Sequence, residues 1–90
     1  MPKLEWLECA DKQYHAHVNR KNTQDSAVWY CIDIEPNQFI AFFEQYDVND
    51  NVIEQKEISF DSWEKAEEWC NSHASTLTDV DYSCWFTRTD

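Results

Sequence analysis

The stretch AVWYCIDIEPNQFIAFFEQYDVNDNVIEQKEIS, Ala27 to Ser59, decides the fold. In AVWYCIDI, Val28, Tyr30, Ile32 and Ile34 fall on one face of an extended chain, and Trp29, Cys31 and Asp33 on the other. A period of two is the mark of a strand. FIAFFEQY, Phe39 to Tyr46, is a second strand, apolar on both faces at its start. NVIEQKEIS, Asn51 to Ser59, is polar and carries the charge expected of an exposed or edge strand. Turns separate the three at Glu35 to Gln38 and at Asp47 to Asn51. The chain has no glycine, so its turns must rely on Asn and Asp, which tolerate left-handed backbone better than other residues.

Working outward, LEWLEC (Leu4 to Cys9) and YHAHV (Tyr14 to Val18) predict a first hairpin around Ala10 to Gln13, followed by a turn within Asn19 to Asp25. After the central strands, DSWEKAEEWCNSHA (Asp61 to Ala74) predicts the one clear helix. Asp61 or Ser62 can cap it, and Glu64 follows Asp61 at capping-box spacing. Trp63, Ala66, Trp69, Cys70, His73 and Ala74 make its apolar stripe, with Asp61, Glu64, Glu67, Glu68 and Asn71 outward. VDYSCWFTR, Val80 to Arg88, predicts a final strand. The expected fold is α+β: a mainly antiparallel twisted sheet of about five to six strands with one helix packed on one face, in a single domain over residues 1–90.

Ninety residues suit one domain with a modest core, and a 16% aromatic content argues against disorder in spite of the charge. The net charge of −11 repels nucleic acid and anionic membrane and favours basic partners. No apolar run approaches the roughly 18 residues needed to span a bilayer. MPKLEWLECADK has no signal-peptide core, so a cytoplasmic location is expected. There Cys9, Cys31, Cys70 and Cys84 should stay reduced and pack as small hydrophobes.

The acidity is concentrated. From Glu44 to Trp69 nine carboxylates (Glu44, Asp47, Asp50, Glu54, Glu57, Asp61, Glu64, Glu67 and Glu68) face only Lys56 and Lys65, a net −7. On a helix Asp61, Glu64 and Glu68 are neighbours, about 5–6 Å apart. Strand and turn acids could extend that row. A DNA strand places a phosphate every 3.4 Å or so along its axis, and a row of carboxylates at somewhat wider spacing can imitate it in a basic groove. The ordinary role of such a face is solubility, but a purely structural surface normally intersperses both signs. Helix-dipole stabilisation accounts for two or three first-turn acids, not nine.

Other chemistry finds little support. His15 and His17 share a strand face and could join His73, Cys9 or Cys70 in a metal site, but zinc asks for four ligands, so no metal or other cofactor is expected. No nucleophile motif surrounds any Cys, His or Ser, and without glycine there is no phosphate-cradling loop, so an enzyme is not expected. Trp63 and Trp69 fit the helix stripe. Trp29 and Trp85 lie opposite the main apolar set, where a core role is the first reading and a partner anchor the second.

The segment from Trp29 to Ala74 resembles small phage and mobile-element proteins in which a Trp-bearing strand leads into two hairpin strands and an F-x-S-x-E-x-A helix start. Phe60, Ser62, Glu64 and Ala66 match that start, and Leu4 and Trp6 resemble the first strand. The hairpin turn departs from the pattern, with Asn49, Asp50 and Asn51 in place of glycine, as does the extra C-terminal strand. Some small acidic phage proteins are anti-CRISPR or anti-restriction inhibitors that mimic nucleic acid. The resemblance therefore implies a binding protein acting in a bacterial host cell on a basic protein or ribonucleoprotein that itself binds nucleic acid. It would occlude the groove without turnover, as a monomer or homodimer. The alternative is an adaptor or structural component of a phage or bacterial assembly that uses a strand edge or exposed aromatics. No catalytic residue is carried over.

Overall fold

The computed structural model describes residues 4–21, 25–78 and 80. Five strands, β1 (Leu7–Ala10), β2 (Gln13–Asn19), β3 (Ser26–Glu35), β4 (Gln38–Tyr46) and β5 (Val52–Phe60), precede helix α1 (Trp63–Ala74). Each strand pairs antiparallel with the next, so the sheet order equals the chain order and, among the described residues, β1 and β5 are its edges. This is an α+β layout with five strands among the described residues. The expected sixth strand, Val80–Arg88, lies outside them except for Val80, which forms a single antiparallel bridge with Arg20.

Register explains the core. Tyr30 stands opposite Ala16 on one side and Phe43 on the other, and Ile32 stands opposite Ala41. Tyr30, Ile32, Val28, Val18 and Phe43 are buried together with Ala66, Cys70 and Ala74 of α1. The helix contributes small residues at i, i+4 and i+8, so its backbone can approach the large side chains that rise from the sheet. Trp69 meets Phe43 at 5.6 Å and Phe60 at 5.9 Å between ring centroids, closing one flank. Burying side chains of this size contributes about 1.5–3 kcal/mol each, before conformational entropy is subtracted.

The element ends carry the corrections. Leu4 to Trp6 is no strand but an arm. The Leu4 amide donates to Asn71 Oδ1 at 3.0 Å, and Trp6 meets Trp63 edge-on at 5.7 Å. Strand propensity in LEW is overridden by this docking onto the helix. The helix N-cap is Ser62, whose hydroxyl accepts from the Lys65 amide, so position N3 is Lys65 and no capping box forms with Glu64. Turn chemistry also departs in one place. Asp50 takes the positive φ expected of an Asp (63°), but Lys12 does so too (61°) and serves where Asn or Gly would be expected.

Cysteine burial follows strand position. Cys70 is buried and Cys31 half-buried, but Cys9 is exposed because the whole of edge strand β1 is. Burial pushes the thiols of Cys31 and Cys70 up to about 12, which makes both poor nucleophiles. Cys84 and Trp85 lie outside the described residues. No helix is long and apolar enough to cross a membrane among the described residues.

Candidate functional site

The nine acids of the Glu44 to Glu68 stretch occupy three places. Glu44, Glu54 and Glu57 lie on β4 and β5, Asp47 and Asp50 in the turn between them, and Asp61, Glu64, Glu67 and Glu68 at or along the start of α1. Strand alternation divides the first group. Glu54 faces the helix side, with Oε1 3.7 Å from His73 Nε2. Glu57 and Glu44, at odd spacing from it in the register, stand opposite Phe42 and Gln55 on the other face of the sheet. The structure thus joins Glu54 to the helix side and directs Glu44 and Glu57 away from it.

Four of the acids have a local structural partner. Tyr46 donates its hydroxyl to Glu44 at 3.2 Å. Asp47 accepts from the amides of Asn49 at 2.8 Å and Asn51 at 3.0 Å, and these bonds hold its carboxyl below the usual range and replace glycine in shaping the turn. Lys65 pairs with Asp61 at 3.0 Å and lowers that carboxyl too. Glu54 has His73. Asp50, Glu57, Glu64, Glu67 and Glu68 form no ion pair or side-chain hydrogen bond among the described residues. Glu64 and Glu68 are exposed one turn apart on α1. Glu67 and Asn71, expected outward, are half-buried. They continue the Trp63 stripe at i+4 and i+8, and the Leu4–Trp6 arm touches both ends of that stripe.

Sequence reasoning missed a polar chain beneath the helix. His73 lies face-on to Phe43 at 3.9 Å between centroids, and its Nδ1 is 2.7 Å from the Tyr30 hydroxyl. With the ring neutral and its proton on Nε2, Tyr30 donates to Nδ1 while Nε2–H faces Glu54. Tyr30, His73 and Glu54 come from β3, α1 and β5, so no local spacing could have signalled the chain. Burial lowers the His73 pKa and Glu54 opposes that shift only in part.

Because the folded ring takes up a proton less readily than the unfolded one, with its ordinary value of 6.5, stability linked to His73 is complete above that value and falls as the pH drops below it. The measurement is a difference between two variants, so that the pH dependence common to both cancels. The stability advantage of the wild type over His73→Gln, followed by urea denaturation, should be larger at pH 8 than at pH 5.5. An advantage that grows toward acid would reverse the assignment.

On the sheet face opposite the core, Trp29 is half-buried, with His17 stacked on it at 5.5 Å and His15 edge-on at 5.0 Å. The two histidines of β2 therefore both pack against one indole, His17 on its face and His15 at an angle. Among the described residues no group of three or more His, Cys, Asp or Glu is arranged to hold a metal ion. A shallow groove of about 450 Å³ runs between β5 and α1, lined by Phe43, Glu54, Lys56, Trp69 and His73 among others. No family model matches the chain, and neither curated proteins nor solved structures yield a match.

Proposed function

We propose that the protein is a non-enzymatic acidic inhibitor of a bacterial defence complex that handles nucleic acid, of the anti-CRISPR or anti-restriction kind, acting in the cytoplasm of the host cell. It would occlude a basic groove by steric and electrostatic complementarity. The observation that carries this reading is the pair Glu64 and Glu68, exposed one turn apart on the helix and without an ion pair among the described residues, while Lys65 is drawn to Asp61. Glu67 flanks the pair and Asp61 begins the row. Net charge makes a basic protein or ribonucleoprotein the natural partner, and nucleic acid itself an unfavourable one.

The direct test adds the purified protein to a panel of purified CRISPR surveillance complexes and restriction enzymes and follows their DNA binding by gel shift. At least one complex should lose DNA binding stoichiometrically. The inhibition should weaken as salt rises, because the Debye length shrinks from about 30 Å at 0.01 M to about 8 Å at physiological strength. DNA binding undisturbed across the panel, or inhibition that consumes a substrate, would remove the proposal. The adaptor reading gains from one observation, the long exposed edge of β5, and an assembly protein would engage that edge with no dependence on Glu64 and Glu68.

A further inference from the structure

The outermost strand, β5, is nine residues long, and every residue from Val52 to Ser59 is exposed. Its inner side pairs with β4, and its outer side pairs with no strand among the described residues. Val52, Ile53 and Ile58 are 47%, 58% and 37% exposed. Natural edges are blunted by proline, bulges, short length or charged side chains, lysine above all. Here there is no proline, Lys56 is the one lysine, and the single register shift lies at the β4–β5 turn, beyond the body of the strand.

The sequence of β5 is complementary to itself when reversed. In Val-Ile-Glu-Gln-Lys-Glu-Ile, Val52 to Ile58, an antiparallel copy with Gln55 opposite Gln55 sets Glu54 against Lys56 and Lys56 against Glu54. The same register sets Val52 against Ile58 twice and Ile53 against Glu57 twice. Opposite-charge and apolar cross-strand pairs of this kind stabilise a sheet, and like charges directly opposite destabilise it. A two-fold axis perpendicular to the sheet allows only registers centred on a residue. Centring on Glu54, Lys56 or Glu57 places like charges face to face on the axis. Of the centres that avoid this, only Gln55 sets Glu54 against Lys56 on both sides of the axis, and it lies near the middle of β5.

We propose that two copies of this chain join through β5, in the register centred on Gln55, into one continuous ten-stranded antiparallel sheet with both helices on the same side. The pairing satisfies the outward N–H and C=O groups of β5 and covers Val52 and Ile58. It leaves Glu64 and Glu68 of each copy on α1, off the seam, so it stands independently of the inhibitor reading. The bulk charge of −11 on each copy opposes association, so the match at the seam has to overcome a general repulsion that ordinary salt screens.

Sedimentation equilibrium at physiological salt tests this, with a 10.8 kDa chain giving twice that mass on pairing. Wild type should be dimeric at micromolar concentration. Lys56→Glu sets Glu against Glu twice, and Glu54→Lys sets Lys against Lys twice. Each should weaken association at least tenfold, on the order of 1.4 kcal/mol. The charge swap Glu54→Lys/Lys56→Glu should restore the dimer, because the register pairs those two positions with each other. A chain monomeric up to millimolar concentration, a dimer indifferent to both single substitutions, or a swap that fails to rescue would each overturn the proposal. Should a charge variant fail to fold, Gln55→Cys in a Cys9→Ser background keeps the question open to measurement. Directly opposed residues in an antiparallel pair have Cα atoms about 4.5–5.5 Å apart, within disulfide reach. Oxidation should cross-link two chains through residue 55, and absence of that cross-link would overturn the register.

Discussion

Phe43→Ala should remove about 3–5 kcal/mol, a large share of the stability of the domain. The side chain is 2% exposed and stands where three elements meet. Its ring centroid lies 6.2 Å from Tyr30 of β3, 5.6 Å from Trp69 and 3.9 Å from His73 of α1. Truncating a buried phenylalanine costs about 3–5 kcal/mol, the larger values arising where the surroundings cannot collapse into the void. Collapse is hindered here because the core residues that β4 and α1 contribute beside it, Ala41, Ala66, Cys70 and Ala74, have short side chains. A domain of this size has a total stability of roughly 5–13 kcal/mol by the usual per-residue scale, so the loss is a large share of the whole. The adjacent Phe42, half-buried on the other face, supplies the control. Urea denaturation followed by circular dichroism should give Phe42→Ala a far higher midpoint than Phe43→Ala. Equal midpoints would mean that the core does not lie on the face the register assigns to it.

That assignment of faces is the part of the fold most legible in the sequence. The alternation of Val28, Tyr30, Ile32 and Ile34 against Trp29, Cys31 and Asp33 survives intact, with the first three of the inward set fully buried and Ile34 half-buried. Strand and helix ends fall within about three residues of the expected ones, since Pro36, Asp47 and Ser62 mark them with local chemistry. What could not be read is whatever depends on contacts between elements far apart in the chain. Leu4 to Trp6 has strand-forming residues yet serves as an arm, because Asn71 and Trp63 offer it partners 67 and 57 positions away. His73 looked like part of an apolar stripe, and only the approach of β5 to α1 gives it Glu54.

The candidate site shows the same division. The identities and the local density of the acids are plain in the sequence. Their grouping is not, because a strand sends neighbours to opposite faces while a helix gathers residues three and four apart. Glu44 and Glu57 therefore separate from Glu54, and Glu67 falls on the flank toward the arm, while Glu64 and Glu68 stay together in solvent. Lys65 divides its charge toward Asp61 and leaves those two unopposed.

Reversing that pair should therefore weaken binding to a basic groove more than reversing any other two exposed acids. Glu64→Lys/Glu68→Lys changes the net charge by four, from −11 to −7. Each substitution removes an attraction and installs a repulsion, and with exposed pairs worth up to about 1 kcal/mol the double variant should bind at least about tenfold more weakly at physiological salt. Its salt dependence should flatten as well, since fewer screened attractions remain. The fold should persist, because neither side chain packs against the core, although Lys at position 64 opposes the helix dipole in the first turn. Glu5→Lys/Glu35→Lys changes the net charge by the same amount at exposed positions outside the acidic stretch, and it should compete with nucleic acid nearly as well as the wild type. If both doubles lose affinity equally, attraction depends on total charge and no surface on α1 is singled out. If neither loses any, the carboxylates serve solubility, and the contact lies at Trp29 on the open sheet face or along β5.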